Sequence, residues 1–181
     1  MKAIETTYNG YRFRSRLEAR WAVFFKYIHL DYEYEKEGFT LENGLSYLPD
    51  FYIPSMDLYI EIKPSFSEIT MDDALKMECF GNNKQLMVII GSPGKQEMYY
   101  LSKCVYNGQI NEYLSDGSFD DFTEFLEGMY QSFEEVDFAI SPFNHDWTIC
   151  YKDLRSAPVD YDYKIALLKA RQARFEFGEK G

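Results

Sequence analysis

Tyr47-Leu-Pro-Asp-Phe-Tyr-Ile-Pro-Ser-Met-Asp-Leu-Tyr-Ile-Glu-Ile-Lys63 reads as two β-strands joined by a turn. Leu58, Ile60 and Ile62 alternate with Tyr59, Glu61 and Lys63, and Phe51 and Ile53 alternate with Asp50 and Tyr52. A period of two gives each strand an apolar face and a face that carries the polar groups. Pro54 and Asp57 supply turn chemistry between the strands. With Ser55 and Met56 as a two-residue loop, Asp50 falls directly opposite Glu61. The Cβ atoms of such a pair lie about 5 Å apart. Lys63, two residues beyond Glu61, points to the same side.

Two facing carboxylates repel, which destabilises the pair and raises a pKa unless a cation lies between them. Hard oxygen ligands suit Mg²⁺, which takes one or two carboxylates and leaves its other positions to water and phosphate. A lysine beside such an ion could position or deprotonate an attacking water and offset phosphate charge. The same alternation also fits a solvent-facing strand with ordinary charges.

Pro49-Asp50, ten further residues and then Glu61-Ile62-Lys63 resembles the signature of the PD-(D/E)XK nuclease superfamily. The wider pattern runs from Phe13-Arg-Ser-Arg-Leu-Glu-Ala-Arg-Trp21 through Tyr47-Leu-Pro-Asp-Phe51 to Ile60-Glu-Ile-Lys-Pro64. It resembles a branch common among phage and mobile-element endonuclease-like proteins. The likeness spans residues 8–92, with a weaker echo in Ala170-Arg-Gln-Ala-Arg-Phe-Glu176. It implies an α/β (α+β) protein with a restriction-endonuclease-like αβββαβ core, a mixed sheet flanked by helices. It also implies an Mg²⁺-dependent endonuclease that hydrolyses phosphodiester bonds, DNA being the favoured substrate. In that reading Asp50 and Glu61 hold Mg²⁺ or Mn²⁺, helped by the Ile62 carbonyl, and Lys63 orients the water. Glu18, from the first helix, binds a second ion or steadies the first.

The order of elements fits this expectation. Tyr8-Asn-Gly-Tyr11 is a turn signal. A helix is predicted over residues 16–29, where Leu17, Trp21, Phe24 and Ile28 share one face. Ser15 and Glu18 make a capping box, in which Glu18 reaches back to the Ser15 N–H. That alone would account for Glu18. Arg12, Arg14, Arg16 and Arg20 cluster at the helix start and suit phosphate contacts; pairing with the acids of residues 31–37 is the competing use. Residues 31–41 alternate as one strand, and Asn43-Gly44 turns the chain into the strand at 47–53. A second helix covers residues 71–80, with Asp72 and Asp73 in its first turn and Gly81 at its end. Lys76 on this helix either faces the site and contacts nucleic acid or is solvated. Residues 85–91 form a buried strand.

Ser92-Pro-Gly94 closes a core over residues 1–94, leaving 95–181 as a C-terminal α+β extension packed on it. There a hairpin is expected about Asn107-Gly108, between strands at 98–106 and 109–114. A helix is expected over 120–133, an irregular stretch over 138–151 with a strand at 147–151, and a final helix over 163–175.

With 181 residues and 46% hydrophobic side chains the chain can build a real core. No apolar run approaches a membrane span, and no signal peptide is evident. Cys79, Cys104 and Cys150 lack disulfide or zinc spacing, so a cytoplasmic protein is expected, in the host cytoplasm if phage-encoded. The net charge of −11 argues against an open, sequence-blind DNA binder. The acid is uneven, however: residues 1–64 carry 8 basic and 10 acidic side chains, residues 65–164 carry 7 and 18. The motif-bearing region is therefore nearly balanced. Two rival functions stand beside the nuclease. One is a catalytically silent, nuclease-like binding protein whose acidic stretch at 112–137 meets a basic protein or mimics nucleic acid. The other is a subunit that needs a DNA-binding partner. A homodimer would suit two cuts on a duplex.

Overall fold

The structure is a computed structural model that describes residues 4–81, 83–101, 134–140, 147–151 and 161–175. The chain opens with a hairpin, β1 (Thr6–Tyr8) and β2 (Tyr11–Phe13). Asn9 and Gly10 turn it with φ of 50° and 83°, the pair of left-handed residues a tight hairpin requires. These strands were not expected from the sequence, which marked only the turn.

Helix α1 (Arg16–Tyr27) follows. Ser15 caps it, its hydroxyl accepting from the Glu18 N–H. At the other end Leu30 N–H donates to the Phe25 carbonyl and His29 N–H to that of Lys26. His29 stands at φ 57° where glycine is usual, and the helix therefore stops two residues before the predicted end.

The next segment departs from expectation. The stretch at 31–41 is two strands, β3 (Glu33–Tyr34) and β4 (Phe39–Thr40), because Glu35 takes a left-handed φ of 45° and turns the chain. The stretch at 47–53 likewise divides into β5 (Ser46–Tyr47) and β6 (Phe51–Ile53). β4 and β5 form a separate ribbon, whereas β6 lies between β3 and β7 (Leu58–Lys63), antiparallel to both.

The β6–β7 register is the expected one, Phe51 opposite Ile60 and Ile53 opposite Leu58. The link is longer than a two-residue loop: Pro54–Met56 is a 3-10 turn closed by Asp57 in the left-handed region. Helix α2 (Met71–Gly81) then returns the chain to β8 (Leu86–Ile90), which runs parallel to β7.

Among the described residues β7 and β8 sit inside a seven-stranded mixed sheet. β9 (Glu97–Leu101), β10 (Glu134–Ile140) and β11 (Trp147–Tyr151) extend it beyond β8, and β6 and β3 lie on the other side. β11 was expected; β10 falls partly on the stretch read as irregular, and it pairs antiparallel with β9. The predicted strand at 109–114 and the helix at 120–133 lie outside the described residues. A last helix, α3 (Tyr161–Gln172), shares a core with α1 through Ala166 and Ala170.

Both faces of the sheet are covered. Phe51, Ile53, Leu58, Ile60 and Ile62 pack with Trp21, Phe24 and Phe25 of α1. Tyr59, Leu86, Val88, Ile90 and Tyr99 pack with Ala74, Met77 and Phe80 of α2. The polar face of β7 is thus a second interior, where a charged side chain needs a partner.

Candidate metal and phosphate site

Pro49 creates the site. In β7, Tyr59 N–H and the Lys63 carbonyl bond toward β8, so the backbone groups of Ile62, displaced by an odd number of residues, face β6. Continuing the β6–β7 register places Pro49 opposite Ile62. Proline has no N–H, so the Ile62 carbonyl lacks the ladder donor that a continuing strand would offer it. The Ile62 N–H turns to a side chain and donates to Asp50 Oδ2 at 2.7 Å. The ladder therefore ends with a carboxylate and a carbonyl side by side.

Asp50 and Glu61 are both buried, at 3% and 7% exposure. Arg14 donates to Asp50 Oδ1 at 2.9 Å, and its Nε pairs with Glu35 at 2.6 Å. Tyr47 donates to Glu61 Oε2 at 3.0 Å, and the Lys63 ammonium lies 3.1 Å from Oε1. Burial pushes Asp50 well above the usual carboxylate range, and the charges of Glu61 and Glu18 add to it against the Ile62 N–H and Arg14. Burial raises Glu61 too, opposed by Lys63, Tyr47 and Arg14. Lys63 is raised as well: burial works to lower it, but Glu61 and Asp73 outweigh burial and hold it as a firm cation. Asp50 and Glu61 thus form a pair of carboxyls whose burial disfavours their charged form, a condition a divalent ion relieves.

Asp50, Glu61, Ile62, Lys63 and Arg14 are brought together. Glu18 stands at the border, near enough to act on Asp50 through its charge. Its carboxylate is held in a variant of the expected capping box: Oε1 accepts from the Ser15 hydroxyl at 2.6 Å, and Oε2 accepts from the Arg14 N–H and the Tyr34 hydroxyl. The backbone donor is thus Arg14, one residue earlier than expected. Arg12 is not part of the site; it pairs with Glu5 on the surface. Lys76 pairs with Asp72 one turn away on α2. Arg16 and Arg20 lie half-buried one turn apart on α1, each with its Nε buried.

Three participants escaped the sequence. Tyr47 reaches Glu61 from the β4–β5 ribbon. Glu35 holds the Arg14 guanidinium from a left-handed backbone. Asp73 holds Lys63 from α2, Oδ1 to Nζ at 3.0 Å. The first-turn position of Asp73 was the sole signal among these.

The donors fit a hard divalent cation: Asp50, Glu61 and the Ile62 carbonyl are oxygen ligands of the type Mg²⁺ and Mn²⁺ take. No group of three or more His, Cys, Asp or Glu side chains with metal-holding geometry occurs among the described residues. For such an ion the protein would supply two carboxylate anchors, with backbone, water or phosphate completing a shell. No helix among the described residues is long and apolar enough to cross a membrane. In comparisons with known proteins, no family model, curated protein or solved structure matches the chain.

Proposed function

We propose that the chain is a metal-dependent nuclease that hydrolyses phosphodiester bonds, with DNA the favoured substrate, on a restriction-endonuclease-like core. One observation carries this reading: two buried carboxylates meet where Pro49 interrupts the strand, beside a backbone carbonyl to which Pro49 offers no ladder donor and a lysine that stays charged. The Arg14 and Lys63 ion pairs account for each carboxylate singly, whereas metal-assisted hydrolysis accounts for bringing the two together.

Asp50, Glu61 and the Ile62 carbonyl would hold Mg²⁺ or Mn²⁺, which when bound supplies Lewis acidity toward the phosphate and lowers the pKa of water. Lys63 then stabilises negative charge on the phosphoryl oxygens and orients the attacking water, a role that suits an ammonium better than a neutral base. Arg14, half-exposed beside Asp50, is placed to meet a phosphate at the rim. Glu18 adds negative charge beside the first-bound ion.

A second reading has its own support. Each carboxylate oxygen of Asp50 and Glu61 already has a partner within the chain. Such a closed network also suits a catalytically silent protein that binds without cutting. The acidic stretch invoked for that role lies mostly outside the described residues.

The deciding experiment incubates the pure protein with single- and double-stranded DNA and RNA, with Mg²⁺, Mn²⁺ or EDTA. Cleavage that requires the ion and is lost in Asp50→Asn and Glu61→Gln supports the nuclease. Binding without cleavage under every condition supports the silent protein, and full activity in Asp50→Asn overturns the assigned site.

A further inference from the structure

Lys63 is shared between two acids on different elements. Its ammonium lies 3.1 Å from Glu61 Oε1 and 3.0 Å from Asp73 Oδ1. Asp73 is itself divided. Its Oδ2 accepts from the Thr70 N–H at 3.0 Å and the Thr70 hydroxyl at 2.8 Å, and its own N–H donates to Thr70 Oγ1 at 3.2 Å. One oxygen thus closes the capping box of α2, and the other is aimed at the lysine.

The division matters for any cation that uses Glu61. Lys63 is mostly buried and cannot simply retreat into water. An ion arriving at Glu61 Oε1 must displace the ammonium and then lie near a like charge. A second carboxylate, Asp73 at 3.0 Å, gives the ammonium a place to stay. Resting on the metal-site reading above, we infer that Asp73 is a positioning residue that draws Lys63 off Glu61, so that Glu61 can accept a divalent cation while Lys63 remains beside it.

The test is Mn²⁺ binding by the full chain without nucleic acid, read from the electron paramagnetic resonance signal of free Mn²⁺. Asp73→Asn keeps an oxygen for the Thr70 cap but loses the charge that holds Lys63. It should weaken Mn²⁺ binding about tenfold, within the range of couplings between contacting groups. Lys63→Met should bind Mn²⁺ at least as tightly as the unmodified chain. Adding Asp73→Asn to Lys63→Met should change the affinity by less than about twofold, because the competitor is gone. Thr70→Ala opens the same cap without removing the carboxylate and should leave affinity near the starting value.

Equal weakening by Asp73→Asn with and without Lys63 would overturn the inference, since Asp73 would then act on the ion directly. Equal weakening by Thr70→Ala, or no effect of Asp73→Asn, would overturn it too. An unmodified chain that shows no saturable Mn²⁺ binding would instead remove the metal-site reading on which the inference rests.

Discussion

Asp50 is costly to bury as an anion, and its raised pKa turns that cost into a measurable pH dependence. A carboxyl whose folded value is raised holds its proton more readily folded than unfolded. The stability it contributes is fully present below the unfolded value of about 3.9 and is lost as pH rises through the raised folded value. Asparagine does not titrate, and its carbonyl can still accept from the Ile62 N–H. The melting temperature of Asp50→Asn in EDTA should therefore gain on that of the unmodified chain as pH rises from about 4 to 8. Asp73 titrates in the opposite sense, lowered by Thr70 and Lys63 against burial, but it is common to both proteins and leaves the difference untouched. Mg²⁺ should raise the melting temperature of the unmodified chain by mass action and leave Asp50→Asn unmoved. Parallel pH curves for the two proteins would contradict the origin given for the shift. Glu18 allows a cleaner separation of roles. A glutamine there can keep its carbonyl on the Arg14 N–H and Tyr34 hydroxyl and donate its amide to Ser15 Oγ, whose proton is free to rotate. Glu18→Gln should thus melt near the unmodified chain, while Glu18→Ala, leaving buried donors unmet, costs about 1–3 kcal/mol. Loss of cleavage in a stably folded Glu18→Gln would assign the residue to the chemistry; retained cleavage would leave it a cap.

The β6–β7 pair was legible because its register follows from alternation and from the centre of the turn. The turn is longer than a two-residue loop, Pro54 to Asp57 in place of Ser55-Met56, but both are centred on the same bond, so Phe51 still meets Ile60. The break between β3 and β4 was not legible. Hydropathy alternates straight through residues 31–41, whereas the kink is a backbone event at Glu35 that no side-chain period records. Tyr47 was hidden for a related reason: a reading that kept 47–53 as one strand could not place it on a separate ribbon facing Glu61. The burial of the polar face was also missed, because the apolar residues of α2 that cover it are distant in sequence. The break between β5 and β6 rests on Pro49, which makes that residue an element-level switch. Pro49→Ala returns an N–H opposite Ile62 and lets β6 extend by a ladder bond, worth about 1 kcal/mol net. The same bond occupies the Ile62 carbonyl. Pro49→Ala should therefore keep or raise the melting temperature in EDTA while weakening Mn²⁺ binding several-fold, as ligand perturbation does. Unchanged Mn²⁺ affinity in a well-folded Pro49→Ala would show that the carbonyl takes no part.

Across the whole molecule, the net charge of −11 sets how nucleic acid can approach. Most of the excess acid lies beyond residue 64, while the segment that carries Arg14, Arg16 and Arg20 is nearly neutral. On the proposed reading a duplex would meet its cations near residues 14–20 on a chain that is acidic as a whole, the reverse of a broadly basic DNA binder. Arg12 and Lys76 pair with Glu5 and Asp72, and Arg14 with Asp50 and Glu35, which limits the positive charge at hand for phosphate. Each phosphate neutralised on B-DNA contributes roughly −0.9 to the slope of log affinity against log salt. With about three phosphate contacts near the start of α1, Arg14 among them, the slope measured in Ca²⁺ should be shallow, about −2 to −3. Arg14→Gln should flatten it by about one unit, the signature of a lost phosphate contact. Neutralising several acids at 112–137 then separates the remaining roles. If that stretch only repels, DNA affinity rises and the slope steepens, because part of the repulsion toward the polyanion has been removed. If it engages a basic protein, the same changes weaken that complex and reduce its salt sensitivity. A steep slope in the unmodified chain, near that of an extended basic groove, would mean that many more cations reach the backbone than this charge distribution supplies.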